Sequence, residues 1–235
     1  MRQFAVVSGG SRGIGKAIAS ALAARGFGVC LLAKNEEVLR QTCTELQAAY
    51  PQAELIYYAL NLSDKAACAK VFTDLSQQWP QLDVLVNNAG SFQPGNLMDE
   101  ADGLFEEMLG SNLYSAYYLT RAMFPLLQKG TLKMIINICS TASLNAYPRG
   151  GSYGIAKFGM LGFSRNLRLE LAEKGYRVSA IMPGPVLTDS WGDIDLPKER
   201  FIMPEDIAKV VIAGLEMSPQ AFPEEILMNP IAGKI

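Results

Sequence analysis

The sequence predicts an α/β fold in which helices cover both faces of one mainly parallel, doubly wound sheet. Six short apolar runs rich in β-branched residues recur along the 235 residues, and segments of helix length separate them. Short continuous apolar runs are typical of strands that are buried on both faces. Because strands and helices alternate throughout, we expect repeated βαβ units, whose strands are parallel.

The predicted elements follow one another regularly. The apolar runs that we predict to be strands are 4–7, 29–32, 55–58, 84–86, 134–138 and 178–181. The segments with a 3.6-residue apolar period, which we predict to be helices, are 16–25, 36–49, 64–79, 105–127 and 153–173.

The domain organisation follows from the absence of breaks in this pattern. No Ser/Gly/Pro-rich linker, charge block or low-complexity tract divides the sequence, so we predict a single domain over 1–235. The proline-punctuated stretch 183–204 interrupts the alternation. We expect a loop there, with a short substrate lid at about 189–203, since function concentrates in such connections.

The composition excludes several kinds of chemistry. The chain has 21 Lys and Arg against 23 Asp and Glu, a formal charge of −2, and no histidine. Without imidazole it cannot form a Ser-His-Asp triad or a histidine-ligated zinc site. Acid–base chemistry near neutral pH must therefore come from a carboxylate, Lys, Tyr or Cys. The near-neutral charge also predicts no general attraction to nucleic acid or to anionic membranes.

The cysteines and the hydropathy pattern predict a cytoplasmic protein. Cys30, Cys43, Cys68 and Cys139 show no CxxC spacing, so we expect buried reduced thiols and neither disulfides nor a metal site. The N-terminal apolar stretch is too short for a signal peptide, and no window holds 18 uncharged apolar residues.

A glycine-rich turn directly follows the first predicted strand. Residues 8–15 read SGGSRGIG, and a helical pattern begins at once. Small residues let backbone N–H groups approach a phosphate, and the helix N-terminus adds partial positive charge. For this motif alone, a tight turn that binds no ligand is the alternative explanation.

Further motifs accompany the turn in a fixed order. NNAG stands at 87–90, and Ser140 precedes Tyr153 by thirteen residues. YGIAK at 153–157 matches Y-x-x-x-K, and PGPVLT stands at 183–188. Together they resemble the short-chain dehydrogenase/reductase family, of the carbonyl reductase type that prefers NADP(H). The resemblance implies a Rossmann-type sheet of seven strands in the order 3-2-1-4-5-6-7.

The predicted catalytic residues lie on or near one helix. Tyr153 and Lys157 are four residues apart, so they face the same side of it. Taken alone, this pair is equally consistent with a packed Tyr and an extended Lys on an amphipathic helix. The resemblance implies that Ser140 holds the substrate oxygen, that Tyr153 is the general acid or base, and that Lys157 binds the nicotinamide ribose and lowers the pKa of Tyr153. It also implies that Asn112 holds a relay water, for which the alternative is a solvent-facing Asn.

The end of the second predicted strand indicates the cofactor. Ala33 occupies the position where NAD sites carry an acidic residue, and Lys34 follows it. The family resemblance makes Arg12 a second cation for the 2′-phosphate of NADP(H); solvated Lys34 and Arg12 are the alternative. The cofactor contacts that we predict are Gly9, Ser11, Arg12, Gly13, Ile14, Gly15, Lys34, Asn61, Leu62, Asn88, Ala89, Gly90, Tyr153, Lys157, Pro183, Gly184, Val186 and Thr188.

The substrate remains open at the level of sequence. Pocket candidates are Ser140, Phe92, Leu144, Tyr147, Met182, Val186, Trp191 and Phe201, which favour an apolar or aromatic carbonyl compound or alcohol. One alternative is a 3-oxoacyl-[acyl-carrier-protein] reductase, in which Lys129 and Lys174 meet an acidic carrier. A regulatory protein that senses NADP is the non-enzyme alternative, which the intact Ser140, Tyr153 and Lys157 disfavour.

The aromatic side chains of the long helices bear on assembly. Tyr114, Tyr117, Tyr118 and Phe163 add more aromatic surface than one sheet contact needs. With the family resemblance, they predict a homodimer or homotetramer. Wide core packing in a monomer is the alternative.

Overall fold

The computed structural model describes residues 2–189 and 196–233. Its strands form one parallel sheet in the order β3-β2-β1-β4-β5-β6-β7. The strands are β1 Phe4–Ser8, β2 Gly28–Ala33, β3 Leu55–Ala59, β4 Val84–Asn87, β5 Met134–Ile138, β6 Arg177–Pro183 and β7 Glu225–Met228. The predicted fold class and strand order are confirmed.

The helices agree with the sequence pattern except at two places. They are α1 Gly13–Ala23, α2 Glu36–Ala49, α3 Lys65–Ser76, α4 Leu104–Leu109, α5 Ser115–Leu127, α6 Gly151–Leu171 and α7 Pro204–Glu216. The predicted helix 105–127 is divided by a π-helical turn at Gly110–Tyr114. Helix α7 was not predicted; it begins at Pro204, a residue suited to the first helical position because its missing N–H has no partner there.

The core lies on both sides of the sheet because successive strand residues face opposite ways. Val7 packs in one apolar cluster with Ile18 and Ile207, whereas Val6 packs in another with Leu119. β3 is an exception to the prediction that every strand is buried on both faces. It is only half buried because it forms an edge of the sheet.

The strand order determines where a ligand can bind. Strands β2 and β3 lie on one side of β1, whereas β4 to β7 lie on its other side. The loops that follow β1 and β4 therefore lead away from each other. Such a point leaves a crevice at the carboxyl ends of the strands. The glycine-rich turn, the NNAG motif and Ser140 all follow strands that end there.

The structure also shows the state of the cysteines. All four cysteines are free, and Cys30, Cys68 and Cys139 are buried. Burial raises the pKa of the Cys139 thiol to about 11.

In the described part of the chain, no helix has both the length and the apolar character needed to span a bilayer.

Candidate active site

A cavity of about 920 Å³ opens at the carboxyl ends of the strands. It brings together most of the residues that the sequence singled out. The predicted site residues that line it are Gly9, Ser11, Arg12, Gly13, Ile14, Lys34, Asn61, Leu62, Asn88, Ala89, Gly90, Phe92, Asn112, Ser140, Tyr147, Tyr153, Lys157, Pro183, Gly184, Val186 and Thr188.

The glycine-rich turn depends on backbone conformations that side chains disfavour. Gly9 and Gly13 have φ angles of +63° and +53°, in the left-handed region. Gly15 does not line the cavity but lies beneath the turn, where a Cβ atom would overlap the carbonyl oxygen of Gly9. The turn leads directly into α1, whose first N–H groups have no partners within the helix.

Ser8 and Asn88 join this turn to the NNAG loop. The Ser8 hydroxyl oxygen accepts the backbone N–H groups of Asn88 and Ala89 at 2.9 and 3.0 Å. The Asn88 side-chain amide donates to the carbonyl oxygens of Ser8 and Gly9 at 2.9 and 3.2 Å. Ser8 was not predicted as a site residue, although its small hydroxyl side chain at the start of the glycine-rich turn was a signal for this role.

Ser140 and Lys157 are held by local contacts. Ser140 lies just after β5, and its hydroxyl oxygen accepts the backbone N–H of Ala142 at 3.1 Å. The buried Ser143 accepts the backbone N–H of Ser140 through its hydroxyl oxygen at 3.2 Å. Lys157 is buried on α6 and donates to the carbonyl oxygen of Ile138 at 3.1 Å. Its ammonium nitrogen lies 5.7 Å from the centre of the Tyr153 ring.

The pKa of Tyr153 differs from the expectation. Desolvation raises the pKa of this phenol, and a hydrogen bond with the Ser140 hydroxyl only partly offsets that effect. Burial also lowers the pKa of Lys157. In this structure Lys157 therefore does not produce the expected lowering for Tyr153, because desolvation of the phenol dominates.

Asn112 lies in the π-helical turn and is 1% exposed, so the alternative of a solvent-facing Asn is wrong. Its side-chain nitrogen donates to the carbonyl oxygens of Ser91 and Met108 at 2.9 and 3.1 Å. Its Oδ1 atom is buried and accepts no hydrogen bond from the described residues. A Cβ atom on Gly90 would lie 2.5 Å from that oxygen. The π-helical turn thus directs an acceptor toward the NNAG loop, a use often made of such turns.

The basic end of the cavity contains Arg12 and Lys34, both exposed. Arg12 lies 3.9 Å from the carboxylate of Asp189, with 65% and 71% of the two side chains exposed. Exposed pairs of this kind contribute little to stability. Asp189, the first residue of the predicted lid, was not singled out as a partner of Arg12, because this contact joins two loops that are distant in sequence.

The substrate end of the cavity is aromatic. Phe92 packs edge-on against Tyr153, with ring centres 4.9 Å apart. Tyr147 is 40% exposed, and desolvation, followed by the charge of Tyr153, raises its pKa to about 12.

Several predicted pocket residues lie elsewhere. Leu144 and Met182 pack in an apolar cluster with Cys139 and Met160, and Phe201 is buried at 6% exposure. None of these three predicted pocket residues is among the described residues that line the cavity. The side chains of Leu144 and Met182 are used for packing within that cluster. Trp191 lies outside the described residues, as do all of residues 190–195 of the predicted lid.

Metal chemistry was not predicted, and the described ranges 2–189 and 196–233 contain no group of three or more His, Cys, Asp or Glu side chains arranged to hold a metal ion. Tyr153 and Lys157 are ionisable groups that meet the cavity from α6.

The sequence is similar to a family model and to curated proteins over most of its length. A family model described as short chain dehydrogenase matches residues 3–198. The sepiapterin reductase of Chlorobaculum tepidum is 30% identical over 243 residues, covering 100% of this chain and 99% of that protein. The 3-oxoacyl-[acyl-carrier-protein] reductase of Haemophilus influenzae is 32% identical over 219 residues, covering 89% and 88%.

A solved structure is also similar over the full length. The alcohol dehydrogenase from the archaeon Thermococcus sibiricus, complexed with 5-hydroxy-NADP, has a TM-score of 0.92 and 26% identity, covering 100% of this chain and 99% of that one. The match therefore extends from the glycine-rich turn to the last strand. The chain belongs to the short-chain dehydrogenase family and is an oxidoreductase that acts on alcohol or carbonyl groups.

Proposed function

We propose that this protein is an NADPH-dependent oxidoreductase that reduces a carbonyl compound or oxidises a secondary alcohol, with Tyr153 as general acid or base. The observation that carries the proposal is the single cavity that Ser140, Tyr153 and Lys157 line at one end and Arg12 and Lys34 at the other. A nicotinamide dinucleotide has its reactive ring at one end and its adenosine ribose at the other. It can therefore place the ring beside Tyr153 and the ribose beside Arg12 and Lys34.

The residues present fit such a cofactor. The left-handed Gly9 and Gly13 leave the backbone open beside the start of α1, where a diphosphate is favoured. Lys157 would bind the nicotinamide ribose, and the PGPVLT segment at 183–188 would contact the nicotinamide end. When bound, the nicotinamide supplies or accepts the hydride.

The chain's own residues manage the substrate oxygen and its proton. The Ser140 hydroxyl donates a hydrogen bond to that oxygen, and the Tyr153 phenol gives it a proton in reduction or takes one in oxidation. The ammonium of Lys157, 5.7 Å from the centre of the Tyr153 ring, favours the phenolate form and so opposes the desolvation that raises the pKa of Tyr153. The Asn112 Oδ1 atom, which accepts no hydrogen bond from the part of the chain that the structure describes, is suited to accept one from a water that relays protons.

The basic end supports NADP(H) over NAD(H). Ala33 presents no carboxylate there, whereas Arg12 and Lys34 provide two cations. A cation about 4 Å from a phosphate gains roughly 4 kcal/mol at an effective dielectric constant near 20, before desolvation. The exposed contact of Arg12 with Asp189 is weak enough to be exchanged for a phosphate. The Thermococcus sibiricus relative, complexed with 5-hydroxy-NADP, supports this preference.

The substrate end favours an apolar or aromatic carbonyl compound, because Phe92 and Tyr147 form its wall. The 3-oxoacyl-[acyl-carrier-protein] reductase alternative is supported by the Haemophilus influenzae relative. The positions of Lys129 and Lys174 weaken this alternative. Both lie just before strands, β5 and β6, and so at the amino ends of the sheet, whereas the cavity lies at the carboxyl ends. The intact catalytic set disfavours the regulatory alternative.

The same structure bears on domain organisation and on assembly. The continuous sheet supports one domain over 1–235 that both binds the cofactor and catalyses. Of the four aromatic residues on which the assembly prediction rests, Tyr118 and Phe163 are partly buried against apolar clusters, whereas Tyr114 and Tyr117 are exposed. Together with the exposed Ile155 and Phe158 of α6, the last two support a homodimer or homotetramer, since large exposed apolar patches mark interaction sites. Light scattering tests the assembly, and a monomeric mass would contradict it.

A screen of carbonyl compounds that follows NADPH absorbance tests the proposed function. We expect aromatic ketones or aldehydes to be reduced by the wild type. Tyr153→Phe removes only the acidic hydroxyl, so turnover should be lost while NADPH binding, followed by fluorescence, is retained. Full reductase activity in Tyr153→Phe would exclude the proposed role of Tyr153.

A further inference from the structure

We propose that Glu100 is a positioning residue for Tyr153, because its carboxylate caps the helix that carries this side chain. The inference rests on the proposed role of Tyr153. Glu100 lies in the β4–α4 loop, residues 88–103, and is separated from the start of α6 by about 50 positions. It was not among the residues that the sequence motifs singled out.

Helix α6 lacks a cap of its own. Its N-terminal flanking residue is Gly150, which has no side chain to accept a hydrogen bond, and its first turn contains no acidic residue. Unpaired N–H groups at a helix N-terminus need acceptors, and a nearby negative charge is favourable there. An acceptor therefore has to come from another part of the chain.

Glu100 supplies that acceptor. Its Oε1 atom accepts the backbone N–H of Ser152 at 2.9 Å, and its Oε2 atom accepts the Ser152 hydroxyl. Ser152 is 1% exposed and immediately precedes Tyr153. The carboxylate thus fixes the backbone one residue away from the proposed catalytic phenol.

The surrounding backbone is shaped to admit this carboxylate. A Cβ atom on Gly151, which has a φ of +40°, would overlap the carboxylate, and one on Gly95 would lie 2.7 Å from Cγ of Glu100. Arg149 has a φ of +60°, which is costly for a residue with a side chain and persists only when neighbours hold it. Its carbonyl oxygen accepts the N–H of Gly95 at 3.1 Å.

The same loop also contacts Tyr153 directly. Phe92, near the start of the loop, packs against the Tyr153 ring. The β4–α4 loop therefore contacts the first turn of α6 at the Tyr153 ring and at Ser152, and it contacts the segment just before the helix at the backbone of Arg149. Because productive proton transfer needs hydrogen-bond geometry, a looser first turn reduces turnover more than it reduces cofactor binding.

Glu100→Ala, Glu100→Gln and Ser152→Ala test the inference. We expect Glu100→Ala to lower kcat about tenfold or more while the KM for NADPH changes less than about twofold. Glu100→Gln keeps an oxygen for the Ser152 N–H, so its loss should be smaller, and Ser152→Ala should resemble it. Asp99→Asn is the matched control in the same loop, since among the described residues its exposed carboxylate accepts only from the side-chain amide of Asn96, at 3.3 Å.

A purely structural role for Glu100 gives a different result. In that case the variants have a lower melting temperature, but kcat measured well below it equals that of wild type, and the inference is overturned. If Glu100→Ala does not fold, Glu100→Gln and Ser152→Ala decide by the same comparison. Turnover by the wild type tests the proposed function, whereas the ratio of variant to wild-type kcat tests Glu100.

Discussion

Gly90 and Asn112 approach each other so closely that a single added carbon would collide with the amide. A Cβ atom at position 90 would lie 2.5 Å from Oδ1 of Asn112 and 3.7 Å from the Lys157 ammonium nitrogen. Gly90→Ala should therefore displace Asn112 and lower kcat about tenfold, with a smaller effect on NADPH binding. Steady-state kinetics and NADPH fluorescence measure the two effects.

Gly162→Ala is the matched control for this substitution. Gly162 lies within α6, and a Cβ atom there would meet nothing within 4 Å. Since alanine is favoured over glycine in a helix by about 1 kcal/mol, this variant should be as active as wild type and equally or more stable. Wild-type kinetics in Gly90→Ala would show that the close approach has no catalytic consequence.

The pH dependence of the reaction follows from the raised pKa of Tyr153. Reduction needs the protonated phenol, so its rate should be level near neutral pH and fall only in the alkaline range. Oxidation needs the phenolate, so its rate should rise with pH over that range. Profiles of kcat/KM in both directions measure this, and a reduction rate that falls on acidification toward neutral pH would contradict it.

Ser140→Ala provides an internal check on these profiles. The Ser140 hydroxyl lowers the pKa of Tyr153 through a hydrogen bond, so its removal should shift the oxidation profile to higher pH as well as reduce the rate. An unshifted profile would show that the hydroxyl does not act on the phenol.

Acid stability should depend on Glu225 at the start of β7. Hydrogen bonds from Arg165 and then Arg168, which outweigh its desolvation, lower the pKa of this carboxyl to about 2. A folded-state pKa below the unfolded value stabilises the protein at neutral pH, and this stabilisation is lost as the pH falls toward that value. Glu225→Gln should therefore lower the free energy of unfolding by about 1 to 2 kcal/mol at pH 7, and the difference should shrink toward pH 2.

Glu224→Gln controls for a general effect of charge removal. Glu224 is 66% exposed and lies 3.4 Å from Arg168, so its removal should change stability little at either pH. Urea unfolding at the two pH values compares the variants. A gap between Glu225→Gln and wild type that is unchanged at low pH would contradict the assigned ion pairs.

The sequence predicted the parts of this protein whose signals are local. The glycine-rich turn, the strands and the Tyr153/Lys157 pair depend on residues that are neighbours in the chain, so their spacing indicates their geometry. The contacts of Ser8 with Asn88 and of Glu100 with Ser152 join residues that are 80 and 52 positions apart. They depend on tertiary packing, which apolar periodicity does not encode.

The wrong predictions of pocket residues at the substrate end have a similar cause. Leu144 and Met182 carry side chains that suit either an apolar pocket or an apolar core, and only the packed structure distinguishes the two. The π-helical turn at Asn112 adds a single residue to one helical turn. This change is too small to alter the apolar periodicity of 105–127 visibly.

Cofactor selection is predicted to depend on Arg12 and Lys34. Because both are exposed at the end of the cavity beside Ala33, their removal should affect only a cofactor that carries a 2′-phosphate. Arg12→Ala and Lys34→Ala should each raise the KM for NADPH about tenfold, corresponding to about 1.4 kcal/mol, and leave the KM for NADH unchanged. Ala33→Asp adds repulsion toward the phosphate and an acceptor for ribose hydroxyls, so it should shift preference toward NADH.

Lys209→Ala separates this local effect from a change in net charge. Lys209 is exposed on α7 and pairs with Asp206 at 2.8 Å, so its removal should leave the KM for both cofactors unchanged. The NADPH effect in Arg12→Ala and Lys34→Ala should also weaken as ionic strength rises, because salt screens exposed charges. A wild-type protein with a clear NADH preference in kcat/KM would overturn the assignment, since two cations at this end would then have no phosphate to bind.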